Sequence, residues 1–109
     1  MKTDQKVPVA SEIVLEFVDL EIHAATGKPT PLAREYRFKV NQIPCVWPHP
    51  TISGREILTA ANLVPPENYS LREKIKGHTP RPIKLDDKVD LREPGVEKFR
   101  AIRKEQTEG

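Results

Sequence analysis

The clearest alternation of apolar and polar side chains runs from Tyr36 to Val40. Tyr36, Phe38 and Val40 fall on one face of an extended chain, and charged residues occupy the positions between them. This two-residue period is typical of a strand with one buried face. Asn41 and Gln42 then predict a tight turn, because asparagine tolerates a positive φ.

A second strand is predicted from Ile43 to Trp47, with Cys45 on the same face as both. Pro44 has no amide hydrogen to donate to a neighbouring strand, so one side of this strand should be open, as in an edge strand. The two strands together predict a hairpin.

A short helix is predicted to begin at Ser53 and to end near Asn62. The Ser-x-x-Glu spacing from Ser53 to Glu56 lets two side chains satisfy backbone amides that are free at a helix start. Its apolar stripe, which would pack across the inner face of the hairpin, consists of Ile57, Leu58 and Ala61.

Three further segments complete the predicted core. A strand at Tyr69–Ile75 alternates cleanly except at Glu73, which interrupts its inner face. A short strand and a turn follow within residues 83–91, and a closing strand spans residues 96–102 with Phe99 as its best core candidate. Hairpin, helix and further strands predict an α+β fold, a β-grasp mixed sheet with one main helix. A ferredoxin-like fold is less favoured, because residues 76–82 contain two prolines and a glycine where a second helix would be needed.

The predicted domain organisation has three parts. Residues 1–33 form an N-terminal extension, with a probable strand at 12–22 and a proline-rich linker after it; residues 34–102 form the β-grasp domain; residues 103–109 form a flexible tail. The apolar residues of the extension should add a strand to an exposed sheet edge, and packing within the same chain is the favoured arrangement. The alternative is pairing between copies, through Ile13, Leu15, Phe17, Val18 and Leu20.

Composition excludes several partners and compartments. The net charge of +2 arises from 18 basic and 16 acidic residues mixed along the chain, without the one-sided run that nucleic acid binding favours. The apolar stretch of the extension is too short and too acidic to cross a bilayer. The single cysteine cannot form an internal disulfide, which suits a reducing compartment. We expect a cytoplasmic protein that binds neither nucleic acid nor membrane.

We expect no catalytic residues, no metal site and no cofactor. Cys45 and His49 could be read as a nucleophile and its base, but the pattern favours Cys45 as a small core residue. His23 and His78 lie in separate connections without the spacing of metal ligands. The acidic pair at residues 86–87 is typical of a turn, in which short carboxylates accept from backbone amides.

The polar tail ends at Gly109, and we expect the chemistry there. A terminal carboxylate on a residue without Cβ can enter a narrow active site of another protein at little steric cost. The pattern favours a protein modifier that is conjugated through Gly109. Partner enzymes would recognise the residues before it, Gln106, Thr107 and Glu108.

Four segments resemble the bacterial multiubiquitin domain family. They are the strand at residues 36–41, the helix start at 51–58, the acidic turn at 86–91 and the segment at 94–100. The resemblance covers residues 35–109. It implies a ubiquitin-like protein, encoded in a bacterial operon with an activating enzyme, a conjugating enzyme and a deubiquitinase-like metallopeptidase, in systems linked to antiphage defence.

By this resemblance Gly109 matches the family's terminal glycine, which would be joined to target proteins through an isopeptide bond. Many family members carry the unit in tandem, whereas this chain carries it once. Two alternatives remain open: a sulfur carrier with a C-terminal thiocarboxylate, and a β-grasp binding or polymerising module that is not conjugated.

Overall fold

A computed structural model describes residues 14–104 of the chain. Its elements, in chain order, are β1 Leu15–Asp19, α1 Leu20–Ala24, β2 Ala33–Val40, β3 Ile43–Trp47, β4 Thr51–Ser53, α2 Gly54–Ala60, a 3-10 turn Pro66–Asn68, β5 Tyr69–Ile75, β6 Arg81–Ile83, β7 Lys88–Asp90 and β8 Val96–Arg103. The main sheet is mixed and α2 packs against its inner face. This is the predicted α+β class, with one main helix. None of the helices described is long and apolar enough to cross a membrane.

Strands β2 and β3 form the predicted hairpin. They pair antiparallel from Tyr36 opposite Trp47 to Val40 opposite Ile43, and Asn41 in the turn has a φ of 61°. Val40 and Ile43 flank a two-residue turn, and such a closing pair is the hydrogen-bonded kind. Hydrogen-bonded and non-hydrogen-bonded pairs alternate along an antiparallel ladder, so the next pair, Lys39 and Pro44, is not hydrogen-bonded. The nitrogen of Pro44 therefore faces away from β2, on a side of β3 that has no partner strand in the described part of the chain.

Helix α2 begins as predicted. Ser53 Oγ accepts from the Glu56 amide at 3.1 Å, and the Ser53 amide donates to Glu56 Oε1 at 2.9 Å. This reciprocal cap satisfies two amides that have no partner within the helix. The predicted apolar stripe is confirmed: Ile57, Leu58 and Ala61 are all buried. The helix ends at Ala60, and Asn62, two residues further on, has a φ of 61°.

Strand β8 lies in the middle of the main sheet. It pairs antiparallel with the whole of β5, and it pairs parallel with β2 at one position, Val40 opposite Phe99. Phe99 is 1% exposed, as predicted for the core, and it contacts Phe38 edge to face with ring centroids 5.4 Å apart. The last strand in the sequence therefore joins the hairpin to the rest of the sheet.

Asn41 extends the short contact between β2 and β8. Its backbone amide donates to the Phe99 carbonyl at 2.9 Å. Its side-chain Nδ2 donates to the Ala101 carbonyl at 3.0 Å, and its Oδ1 accepts from the Ala101 amide at 2.9 Å. The side-chain amide thus imitates a strand residue where β2 has already ended, and we call these three bonds the Asn41 clamp.

The N-terminal segment packs within its own chain, which was the favoured alternative. Strand β1 pairs parallel with the first half of β2, and it is shorter than the strand predicted at 12–22. The strand prediction is wrong from Leu20 onwards, because Asp19 caps a helix there: its Oδ1 accepts from the amides of Glu21 and Ile22. That turn directs Leu20 and Ala24 into the core. Residues 12 and 13 lie outside the described part.

The linker before β2 is hydrogen-bonded to the loop between β7 and β8. Thr30 is 4% exposed; its amide donates to the Arg92 carbonyl, and Arg92 Nε donates to the Thr30 carbonyl at 2.7 Å.

The structure also contains a second, two-stranded sheet that the sequence did not reveal, in which β4 pairs with β7. Ile52 and Val89 from these strands are buried in the core.

Glu73 is the one carboxylate buried in the described core, at 1% exposure. Its Oε1 accepts from Arg81 Nη2 at 2.6 Å and from Arg81 Nε at 3.0 Å, and Arg81 also donates to Glu93 at 2.9 Å. Oε2 of Glu73 has no partner in the described structure. Burial raises the pKa of Glu73 above its ordinary value, against the opposing effect of Arg81.

The buried carboxylate predicts a specific pH dependence of stability. Because its pKa is raised on folding, the folded state holds the Glu73 proton more tightly than the unfolded state. The contribution of Glu73 to the free energy of unfolding therefore falls as pH rises from about 4.5, its ordinary pKa, through the raised folded-state value, and is constant above it. Glu73→Gln removes this titration.

Urea denaturation of the parent and of Glu73→Gln across this pH range measures the effect. We expect the parent to lose stability relative to the variant as pH rises through the window. A difference between the two proteins that is independent of pH would contradict the assignment.

The Asn41 clamp predicts a second stability effect. Asn41→Gly keeps the positive φ and removes both side-chain hydrogen bonds to Ala101, so the free energy of unfolding should fall by about 1–3 kcal/mol. Asn62→Gly is the matched control, because Asn62 has the same φ of 61° and does not bond to β8. Urea denaturation should show a much smaller change for the control, and equal losses would argue against the clamp.

Candidate functional site

The predicted conjugation residue and its recognition residues follow the described chain directly. Gly109, Gln106, Thr107 and Glu108 lie outside residues 14–104, so the structure does not describe them. It describes the strand that leads to them. Strand β8 ends at Arg103, one residue before the last described position.

The end of β8 is held from both sides. On one side Tyr69 pairs with Arg103, Ser70 Oγ donates to the Ile102 carbonyl, and the Lys104 amide donates to the Asn68 carbonyl at 2.8 Å. On the other side is the Asn41 clamp. The point at which the chain leaves the sheet is therefore fixed by bonds to two separate segments, and the tail begins from a defined position and direction.

The predicted self-association residues fall into three groups. Ile13 lies outside the described part. Val18 and Leu20 are 5% and 1% exposed, because they pack in the core of their own chain. Leu15 and Phe17 lie exposed on the outer face of β1, and the Arg37 guanidinium covers the Phe17 ring at 3.6 Å. Of the four predicted residues that the structure describes, Leu15 and Phe17 are therefore the two that another copy could contact, and pairing between copies stays a prediction.

The residues considered for catalysis lie in structural positions. Cys45 is 4% exposed, and burial raises the pKa of its thiol, so the reactive thiolate is disfavoured. Asp87 accepts from the Lys84 amide at 2.8 Å, which is the turn role predicted for it. Asp86 is exposed and lies 3.5 Å from Arg55. Within residues 14–104 no group of three or more histidine, cysteine or acidic side chains could hold a metal ion.

The outer face of β5 and β8 carries a cluster of positive charge that the sequence analysis missed. Arg72 lies directly opposite Arg100, and Lys74 lies directly opposite Lys98. We call these four residues the basic ladder. Arg72, Lys74 and Arg100 are exposed and Lys98 is half-buried. The two residues of each pair are about 25 positions apart in sequence. Only the antiparallel register of β5 and β8 brings them together, and neither strand alone predicts that register.

The basic ladder has no acidic partner among the described residues. Other basic residues do: Arg37 pairs with Glu35, and Arg55 pairs with Glu67. Like charges directly opposite on neighbouring strands destabilise a sheet. We therefore expect the ladder to lower the stability of the fold, a cost that functional residues can carry.

This cost can be measured by reversing one charge. Arg100→Glu places a carboxylate opposite Arg72 and beside Lys98, so the free energy of unfolding should rise by about 0.2–1 kcal/mol. The double variant, Arg72→Glu with Arg100→Glu, places two negative charges opposite each other. It should lose most of the stability that the single variant gains. Urea denaturation at low salt checks both. A single variant no more stable than the parent would show that the paired arginines do not repel.

Comparison with known proteins identifies the family. Neither the curated proteins nor the solved structures give a match. Residues 36–104 match the family described as Multiubiquitin, from the start of the hairpin to the end of β8. The match covers more than half of the chain and confirms the resemblance noted in the sequence. The chain therefore belongs to the multiubiquitin family.

Proposed function

We propose that this protein is a ubiquitin-like modifier, activated at the carboxylate of Gly109 and conjugated to target proteins. The observation that carries the proposal is the position of β8. This central strand ends the part matched to the multiubiquitin family and runs directly into the polar tail that finishes at Gly109. A β-grasp body built in this way presents its C-terminus and contributes no catalytic group.

The chemistry belongs to partner enzymes. A carboxylate is a poor acyl donor, so an activating enzyme must first join it to AMP from ATP, with release of pyrophosphate. A cysteine thiolate of the enzyme then displaces AMP to give a thioester, and a lysine amine of the target displaces the thiol to give an isopeptide bond. Magnesium and ATP bind the activating enzyme, so the modifier needs no cofactor of its own.

The contribution of this chain is positioning. Docking of a rigid body brings the tail to the active site in a fixed register, which converts binding energy into proximity of the reacting groups. The bonds at both sides of the end of β8 suit this role, because they hold the chain in a defined position up to Lys104. Glu108 occupies the place before the terminal glycine, so the receiving channel should be wider than one built for two glycines.

The proposed partners follow from the family. They are an activating enzyme, a conjugating enzyme, a deubiquitinase-like metallopeptidase that would cut after Gly109, and the target proteins. We propose that they act together in the cytoplasm, in a ubiquitination-like pathway of the kind linked to antiphage defence. A sulfur carrier would use the same adenylated glycine, and its product would be a thiocarboxylate.

The test is activation by the cognate enzyme, which the family resemblance predicts to be encoded in the same operon. The full-length chain is incubated with that enzyme, ATP and magnesium, and intact mass spectrometry is used to find an adenylate or an enzyme thioester. We expect both with the parent and neither after deletion of Gly109. Lys28→Glu, which changes an exposed residue outside the part matched to the family, serves as the control and should be activated normally.

Activation that survives the deletion of Gly109 would overturn the proposal. A chain whose terminal oxygen is replaced by sulfur, with no conjugate to a target lysine, would favour the sulfur carrier instead. Failure of any activation would leave the plain binding module as the better account.

A further inference from the structure

We propose that the basic ladder is a docking surface for an acidic segment of a partner protein. This binding is non-covalent and stands whether or not Gly109 is activated. Its starting point is the unpaired charge described above: Arg72, Lys74, Lys98 and Arg100 meet on one face and form no ion pair with an acidic side chain within residues 14–104.

The spacing of the ladder suits carboxylates carried by a polypeptide. Directly opposite residues lie about 5 Å apart, and alternate residues of one strand lie about 7 Å apart. Acidic side chains at alternate positions of an extended segment, or one turn apart on a helix, have a similar separation of about 6–7 Å. Two such carboxylates can each face one like-charged pair, so each would relieve the repulsion between two cations.

Two features beside the ladder add to the surface. At one end, a recess of about 250 Å³ is lined by Lys74, Lys98 and Arg100 together with the hairpin turn, and it can accept a carboxylate between three cations. At the other end, Ile102 is 49% exposed and offers an apolar contact next to Arg100. Arginine beside an apolar side chain is a composition enriched in protein interfaces.

A protein partner fits this face better than nucleic acid. Proteins that bind single strands stack bases on exposed aromatic side chains, and the paired outer positions of β5 and β8 carry no aromatic residue. Tyr69 and Phe99 fall on the opposite, inner parity of the same strands. The net charge of the whole chain is only +2, which gives little general attraction for a polyanion beyond the ladder itself.

The experiment follows the amide resonances of the isotopically labelled full-length chain by NMR. The probe is a synthetic peptide of glutamate and aspartate residues around one central leucine, added at low and at physiological salt. Shifts should be confined to the amides of β5 and β8 near the ladder, and affinity should fall as salt rises. A single-stranded oligonucleotide and anionic phosphatidylserine vesicles are tested in parallel.

The decisive variant is Arg100→Glu, which is expected to strengthen the fold while it weakens binding. Affinity for the peptide should fall about tenfold or more, equivalent to about 1.4 kcal/mol. Lys28→Glu makes the same change in net charge at an exposed residue that is not part of the ladder, and it should bind within about twofold of the parent. The amide spectrum of Arg100→Glu also reports whether the variant is folded, so lost binding can be distinguished from unfolding.

Three results would overturn the proposal. In the first, the peptide causes no chemical shift changes, or causes them elsewhere on the chain. In the second, both variants lose the same affinity for the peptide. In the third, the oligonucleotide or the vesicles bind the ladder saturably and the peptide does not.

Discussion

The structure depends on a single strand that must satisfy two neighbours. Strand β8 forms its full ladder with β5 but meets β2 at only one register position. The Asn41 clamp supplies the missing bonds from a side chain, and so joins the hairpin to the remainder of the sheet. Because β8 is also the strand that leads to the tail, the same bonds determine where the predicted reactive terminus leaves the body.

Elements set by neighbouring residues could be predicted from the sequence. The alternation of β2, the turn at Asn41 and the capping box at Ser53 and Glu56 each depend on contacts within a few residues, and all are found in the structure. Asp19 shows the limit of such reasoning. Its capping of α1 ended a strand that hydrophobic alternation alone would have continued, since periodicity cannot separate a short helix from a strand when both bury the same residues.

Features set by distant residues could not be predicted. The pairing of β4 with β7, the bonds of Asn41 to Ala101 and the assembly of the basic ladder all join segments far apart in the chain. Charge shows this most clearly. Basic and acidic residues are well mixed in the sequence, yet folding buries Glu73 against the exposed Arg81 and collects four cations on one outer face. Even mixing along a chain does not imply even mixing on its surface.

Pro44 has a consequence for how copies of this protein can meet. An open strand edge is a template on which identical chains can stack into a continuous sheet. Pro44 leaves the open edge of β3 without one outward-facing amide hydrogen. A second molecule therefore cannot pair with this edge through an uninterrupted series of backbone hydrogen bonds. Pro44 therefore disfavours aggregation through this edge when copies of the protein are close together.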